Sequence, residues 1–307
     1  LKMKRVAIID MGTNTFHLLI AEVRPSGFSI VHREKVPVKI GVGGINQGII
    51  LHEAIERAVK TMCSFKKTIS EAGTATVLAF GTSALRNAKN GAEVIARIES
   101  ETSIQTRLIT GHEEAEFIYQ GARAAIALGQ APSLIMDIGG GSVEFIIGNQ
   151  DKILWSRSFE IGGQRLLERF QKHDPILPEE VNSLFTYVDS ELSPLIEQLK
   201  KHQPKTLVGS SGTFDTLSEI YCFRNDIPVT ETPETPFSIK AFDEIYEELL
   251  IKDRAARMQI PGMIEMRVDM IVVACCLIKY LLHAHKFDTI RVSSYSLKEG
   301  VLATISN

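Results

Sequence analysis

Three short stretches concentrate residues whose types and spacing suit phosphate chemistry: "DMGTNT" at 10–15, "DIGGGSVE" at 137–144 and "GSSGT" at 209–213. A turn without bulky side chains lets successive backbone N–H groups converge on one point, and such a nest binds anions, phosphate above all. In the second stretch Gly139, Gly140 and Gly141 permit close approach and Ser142 adds a hydroxyl donor. Gly12, Thr13, Asn14 and Thr15 offer a similar combination in the first. Ser211, Gly212 and Thr213 open a helix whose N-terminal amides also attract anions. A single glycine turn is equally explained by a tight hairpin. Three such turns after three strands, two of them reading Asp-x-Gly with a hydroxyl three residues on, point to binding. The acids then need a reason. A carboxylate beside phosphate repels it unless a cation lies between, and Mg2+ is the usual bridge, held by one or two carboxylates with waters and phosphate oxygens. Asp137 and Glu144 are the candidate ligands, with Asp10 in the same part from the first stretch; for either aspartate the alternative is capping its own turn.

The attacking group is sought in "ITGHEEAEFIYQGARAA". Thr110 and Glu113 fit a T-x-x-E capping box, which explains Glu113. Glu114 has no such role. It shares a helical stripe with Ile118, Gly121, Ala122 and Ala125, and burial there raises its pKa and makes it a better general base toward water. A surface acid at a helix start is the competing reading. "GTSALRN" at 81–87 offers the hydroxyls of Thr82 and Ser83 and the guanidinium of Arg86, suited either to bidentate phosphate contact or to a salt bridge. Arg267 is open to the same two readings. His17 and His112 lie near these stretches without ligand-like neighbours and read as structural.

At 307 residues, with 44% apolar and 23% charged residues, the chain suits two globular domains. A net charge of −3 advertises neither nucleic acid nor membrane as partner, so any anion site is local. The four cysteines show no metal-ligand spacing and fit a reducing cytosol. No signal peptide is read at the N-terminus, and the longest apolar run, 270–278, is far short of a membrane span, so a cytoplasmic protein is expected. Strands are expected at 5–10, 16–23 (closed by "RPSG") and within 28–41, then a helix over 52–72, a strand at 76–80 with 81–87 as its exit turn, a helix at 91–101, a strand at 106–109 and a helix from 111 to about 128. The pattern then restarts. Laying 10–21 over 137–148 matches Asp10 with Asp137, Gly12 with Gly139 and Thr15 with Ser142, and a third strand in 152–162 and a helix from about 163 follow. Helical spacing continues over 178–202 with a break at Pro194, then near 240–252 and 265–285, with Met263, Met266 and Met270 as core. Residues 225–237 read as an exposed loop, and a last strand (289–294) and helix (297–305) close the chain. Two similar α/β domains facing across a cleft are predicted. No G-x-x-x-x-G-K-[ST] is present, and strands rather than helices follow both Asp-x-Gly turns, which disfavours a dinucleotide fold.

"AIIDMGTNTFHLLIAEV", "AFGTSALRNAKN", "ITGHEEAEFIYQG", "LIMDIGGGSVEFIIG", "LVGSSGTFDTLSEI", "IPGMIEMRVDMIVVACCLI" and "IRVSSYSLKEGVL", in that order over essentially the whole chain, resemble the exopolyphosphatase / guanosine pentaphosphate phosphohydrolase family. That family lies in the superfamily of actin, the heat-shock chaperone ATPases and sugar kinases. The resemblance implies an α/β fold of two actin-like (ribonuclease H-like) domains, 1–127 and 128–296, with the helix 297–307 crossing back to the first. It also implies Mg2+-dependent removal of a terminal phosphate from linear polyphosphate or from pppGpp, with a monovalent cation such as K+ as a further candidate. The family's catalytic glutamate falls on Glu114, its phosphate turns on Gly12–Thr15 and Gly139–Ser142, its arginine on Arg86 and its metal-proximal acids on Asp137 and Glu144. A homodimer is compatible with it. Two departures stand out: Glu116 replaces an arginine that often closes the acidic motif, and Lys298 stands in "LKEG" for arginine. The sequence also stops before the extra helical domain of larger members, so processive handling of long chains is not expected. Two other readings stay open. A small-molecule kinase of the same fold would use the acid on a hydroxyl, and a non-catalytic nucleotide sensor would need the turns but not Glu114.

Overall fold

The computed structural model describes residues 4–24, 27–230 and 232–306; Pro25 and Ser26, in the expected stop after the second strand, lie outside them. An apolar N-terminal run forms β1 (Lys4–Met11), which turns at Gly12 and pairs antiparallel with β2 (Phe16–Arg24), itself paired with β3 (Gly27–Val36). Pro37, which lacks an N–H for the ladder, follows directly where β3 ends. After α1 (His52–Glu71), β4 (Thr76–Gly81) runs parallel to β1, and α2 (Ser83–Asn87) and α3 (Gly91–Thr102) lead to β5 (Thr106–Leu108), parallel to β4. The sheet order is β3-β2-β1-β4-β5, and α4 (Gly111–Ala125) follows.

The second half repeats this order. Strands β6 (Ser133–Ile138), β7 (Val143–Gly148) and β8 (Ile153–Phe159) form an antiparallel meander. Helices α5 (Gly163–Phe170), α6 (Pro178–Glu191) and α7 (Ser193–His202) come next. Then β9 (Thr206–Ser210) runs parallel to β6, as β4 does to β1. Beyond α8 (Ser211–Arg224), β10 (Glu234–Thr235), α9 (Ile239–Ile251), α10 (Arg254–Met258) and α11 (Ile271–Ala284), β11 (Thr289–Ser293) lies parallel to β9, giving the order β10-β11-β9-β6-β7-β8. The chain is thus two α/β lobes, each a meander extended by parallel strands. Among the described residues no helix is long and apolar enough to cross a membrane.

A separate core fills the outer side of each lobe, and a third joins them. Val6, Ile8 and Leu19 of one sheet and Ile135, Ile146 and Val208 of the other belong to one buried cluster with Ile118 and Ala122 of α4 and Val301 of α12 (Leu297–Ser306). The two helices approach so closely that a Cβ at Gly300 would collide with the Phe117 carbonyl, and one at Gly121 with that of Ser296. This crossing sets the first turn of α4, and with it Glu114, against the facing ends of both sheets.

Five local expectations differ from what forms, the first being the loop expected over 225–237, in which Glu234 and Thr235 form β10 against β11. Residues 81–87 are not a plain exit turn: Ser83–Asn87 make one turn of helix, α2. Helix α4 stops at Ala125, because Ile126 adopts extended backbone to bury its side chain below the third core. No separate glycine turn precedes α8, which starts at Ser211 with a φ of 74°. Residues 263–270 are not helical, since Pro261 and Gly262 (φ 92°) break the run and α11 begins only at Ile271.

Candidate active site

The duplicated strand–turn–strand units meet tip to tip. In both, the glycine after the strand donates back across the turn: Gly12 N to the Thr15 carbonyl at 3.1 Å, and Gly139 N to the Ser142 carbonyl at 3.0 Å. That bond curls the intervening residues so that the amides of Thr13, Asn14 and Thr15, and of Gly140, Gly141 and Ser142, have no acceptor among the described residues. Unpaired N–H groups are rare in folded proteins, and six in two facing turns have the arrangement that suits an anion. The glycines at the second tip are needed for the approach itself. A Cβ on Gly140 would lie 3.0 Å from Asn14 Oδ1, and one on Gly141 would strike Thr13 and Ser83.

Further contacts hold the lobes together around the turns. Asn14 donates through Nδ2 to Gln164 Oε1 at 3.0 Å, and Gly43 N to Glu168 Oε1 at 2.7 Å. Arg165 donates to the Gly141 carbonyl at 2.8 Å and to the Ile45 carbonyl at 2.9 Å. Met270 and Met266, expected as helix core, instead reach across to Asn14 and Thr15 from the irregular segment.

Both glycine turns, Glu114, the three candidate metal acids, Ser83, Ser211 and Arg267 line one cleft of about 630 Å³. The capping box at the start of α4 is present: Glu113 N donates to Thr110 Oγ1 at 3.2 Å and Thr110 N to Glu113 Oε2 at 2.8 Å. With Glu113 so used, the next side chain, Glu114, points inward and is 8% exposed. Burial pushes its carboxyl up to about 8, the charges of Asp10 and Asp137 add to the rise, and Arg86 opposes it. Arg86 itself does not line the cleft. Its Nη1 donates to Glu114 Oε2 at 2.9 Å and to the Ile109 carbonyl at 3.0 Å, while Nη2 reaches Glu160 Oε1 at 3.3 Å. The guanidinium read from sequence as a phosphate contact or a salt bridge is here a salt bridge, made to the candidate base.

Asp137 and Glu144 face each other across β6 and β7, in the register that sets Asp10 opposite His17 in the first unit. Two serine hydroxyls, Ser210 at 2.7 Å and Ser296 at 2.5 Å, donate to Asp137 Oδ2, and among the described residues no hydrogen bond reaches Oδ1. Ser158 donates to Glu144 Oε1 at 2.7 Å. Burial, with Glu114 and Asp137 adding repulsion, holds the Glu144 carboxyl well above its usual range. Burial likewise raises Asp10 to about 6, with Lys298 opposing. Among the described residues no three His, Cys, Asp or Glu side chains close into a ligand cluster. Mg2+ does not require one. It is a hard cation satisfied by one or two carboxylates, with the remaining oxygens from water and phosphate, and the free Oδ1 of Asp137 beside a mutually repelling pair of acids suits it.

The third stretch is only partly in this site. Ser211 borders the cleft, Gly212 lies under the Arg267 guanidinium where a Cβ would clash, and Thr213 is buried inside α8. Sequence reasoning also passed over several contributors. His17, read as structural, lines the cleft with Nδ1 unpaired; burial keeps its ring well below the usual histidine range, helped by Lys298, Lys35 and Arg267. Its place opposite Asp10 was the available signal. Ser210, Ser296 and Glu160 carried none, since each acts on a residue far away in the chain. His112, by contrast, is exposed beside Glu116 at 3.3 Å.

A family model described as the Ppx/GppA phosphatase family matches residues 19–306. Exopolyphosphatase 1 of Mycobacterium tuberculosis is 24% identical over 302 residues, which cover 97% of this chain and 87% of that protein. A guanosine-5'-triphosphate,3'-diphosphate pyrophosphatase of Pseudoalteromonas translucida is 27% identical over 297 residues, 96% of this chain and 58% of that longer protein. Among solved structures, an exopolyphosphatase from Cytophaga hutchinsonii superposes with a TM-score of 0.96 at 43% identity, covering 99% of this chain and 98% of the other. A Ppx/GppA family member from Aquifex aeolicus gives 0.79 at 25% identity over 99% and 98% of the two chains.

Proposed function

The chain belongs to the Ppx/GppA phosphatase family and is a phosphoanhydride hydrolase, and we propose that it removes the terminal phosphate of linear polyphosphate in a Mg2+-dependent reaction. The observation that carries this reading is the placement of Glu114, a buried carboxylate on the wall of a cleft that also offers six unpaired amides. The amides of Thr13 to Thr15 and of Gly140 to Ser142 hold the oxygens of the terminal phosphoryl group, and preorganised donors of this kind stabilise the charge that builds up during transfer. Asp137 and Glu144 would hold Mg2+, with Asp10 close by, and the cation would neutralise phosphate oxygens. Glu114 orients a water molecule and takes its proton as the water attacks the terminal phosphorus in line. The bond to the bridging oxygen breaks, the shortened anion leaves, and orthophosphate is formed. Arg86 acts through Glu114 as a positioning residue, fixing one carboxylate oxygen and leaving the other toward the cleft. Lys298 and Arg267 supply positive charge along the same wall.

A second substrate, pppGpp, contains the same terminal anhydride. It is favoured by an outer cavity of about 1310 Å³ whose wall includes Pro228, Val229 and Pro236, apolar surface that a nucleoside uses and inorganic polyphosphate does not. The test is orthophosphate release with Mg2+ from polyphosphates of defined length, pppGpp and ATP, by wild type and Glu114→Gln. A fall in kcat of about 10²–10⁴-fold with substrate binding retained is expected for loss of a general base. No release by wild type from any of them would contradict the proposal.

A further inference from the structure

The cleft does not end at Arg267 and Lys298. Both residues also border a second cavity of about 510 Å³, whose walls include Lys35 and Asp215. Lys35 and Asp215 in turn border the outer cavity, where Glu219 and Val229 join them. A phosphate chain with its end at Glu114 can therefore run outward between β3 of one lobe and α8 of the other.

The charge along this path changes sign. On the inner stretch Arg267 and Lys298 line the cavity, with Glu34 also on its wall, and neither cationic side chain makes a hydrogen bond or ion pair among the described residues. Farther out, Asp215 and Glu219 stand one helical turn apart on α8, on the same face. Opposite them are Lys35 and Arg33 of β3, but Arg33 is engaged by Glu299 at 3.8 Å. That leaves Lys35 against two carboxylates. Neither Asp215 nor Glu219 has a hydrogen-bond or ion-pair partner among the described residues, so neither caps α8 nor ties the lobes together. Burial pushes the Asp215 carboxyl up to about 6, with Lys35 and Arg267 opposing, so it is charged at neutral pH.

We propose that Asp215 and Glu219 set an upper limit on substrate length: the site takes short phosphate chains and disfavours long inorganic polyphosphate, whose farther phosphates meet these two carboxylates. The inference rests on the phosphohydrolase reading of the same cleft. Each added phosphate brings roughly one further negative charge, and between low-dielectric walls repulsion is screened less than on an open surface. The first phosphates gain from the amides, Arg267 and Lys298; those that follow lose at α8.

The experiment is orthophosphate release from triphosphate, tetraphosphate and chains of tens of phosphates, with kcat and KM measured at each length. Wild type, the double variant Asp215→Asn with Glu219→Gln, and Thr230→Glu are compared. Wild type is expected to lose kcat/KM as the chain lengthens. The double variant should regain about tenfold or more for long chains, the scale of one close like-charge repulsion in such a cleft, with little change for triphosphate. Thr230→Glu, on the wall of the same outer cavity, adds a third acid without touching the inner site and should deepen the loss for long chains only. A wild type that hydrolyses long chains as well as short ones, or a length profile identical in the double variant, would overturn this inference. Absence of release at every length and from pppGpp would instead overturn the phosphohydrolase reading beneath it.

Discussion

The two strand–turn–strand units share a backbone and differ in chemistry. Each closes with the same glycine-to-hydroxyl-residue bond, and each places an aspartate opposite one partner across the ladder. In the first unit that partner is His17, whose pKa burial and nearby cations lower; in the second it is Glu144, whose pKa burial and nearby acids raise. The tips differ as well. Thr13 and Asn14 carry side chains that reach the other lobe, whereas Gly140 and Gly141 have none and so admit them. Under the proposed function, the first copy would grip phosphate and the second would carry the acids that hold the cation beside the base. The two turns share a backbone pattern and differ at two or three side chains.

That division is open to attack from several sides. The largest effect is expected in the second unit: Asp137→Asn or Glu144→Gln should lower kcat by about 10²–10³-fold, the range for losing one preorganised electrostatic group. If Asp10→Asn costs as much as either in the same assay, the units share the work equally and the contrast fails. Asp10→Asn is expected to cost only about tenfold, within the range for an outer-shell partner of a metal site. On stability, the helices that follow β5 and β11 cross at Gly121 and Gly300, so Gly300→Ala should destabilise by on the order of 3 kcal/mol, read from denaturant midpoints.

The remaining expected effect is a stabilisation. Glu114 ionises near its ordinary 4.5 when unfolded and at about 8 when folded, so between those values the folded state holds a proton that the unfolded state has lost. Wild-type stability from this group therefore falls as pH rises through that window. Glu114→Gln escapes the penalty and should melt higher than wild type at pH 8, with the gap closing toward pH 5. Equal melting temperatures at both pH values would show that the carboxyl is not raised.

Much of this was legible in the sequence because it is local. Asp-x-Gly with a hydroxyl three residues on specifies the turn, and Thr110 with Glu113 specifies the cap that turns Glu114 inward. The partners of Asp137 were not legible, since Ser210 and Ser296 are 73 and 159 residues away and only strand order brings them in. The methionines at 263, 266 and 270 have helical spacing, yet Pro261 and Gly262 outweigh it; Met263 still joins the core of the second lobe, whereas Met266 and Met270 pack on the first turn. Arg86 was ambiguous for a different reason. Its type suits phosphate and carboxylate equally, and the choice depends on Glu114 and Glu160 arriving from two other elements.

The most direct test of Glu114 as the base is the pH dependence of kcat/KM for orthophosphate release, compared in wild type and Glu114→Gln over a range of Mg2+ concentrations. A carboxylate that must lose its proton to act gives a rate that rises with pH up to about 8. That limb should move to lower pH as Mg2+ increases, because a nearby cation favours the charged form. In Glu114→Gln the residual rate should show no such limb. The same limb persisting in Glu114→Gln would assign the proton transfer to another group and remove Glu114 from the chemistry.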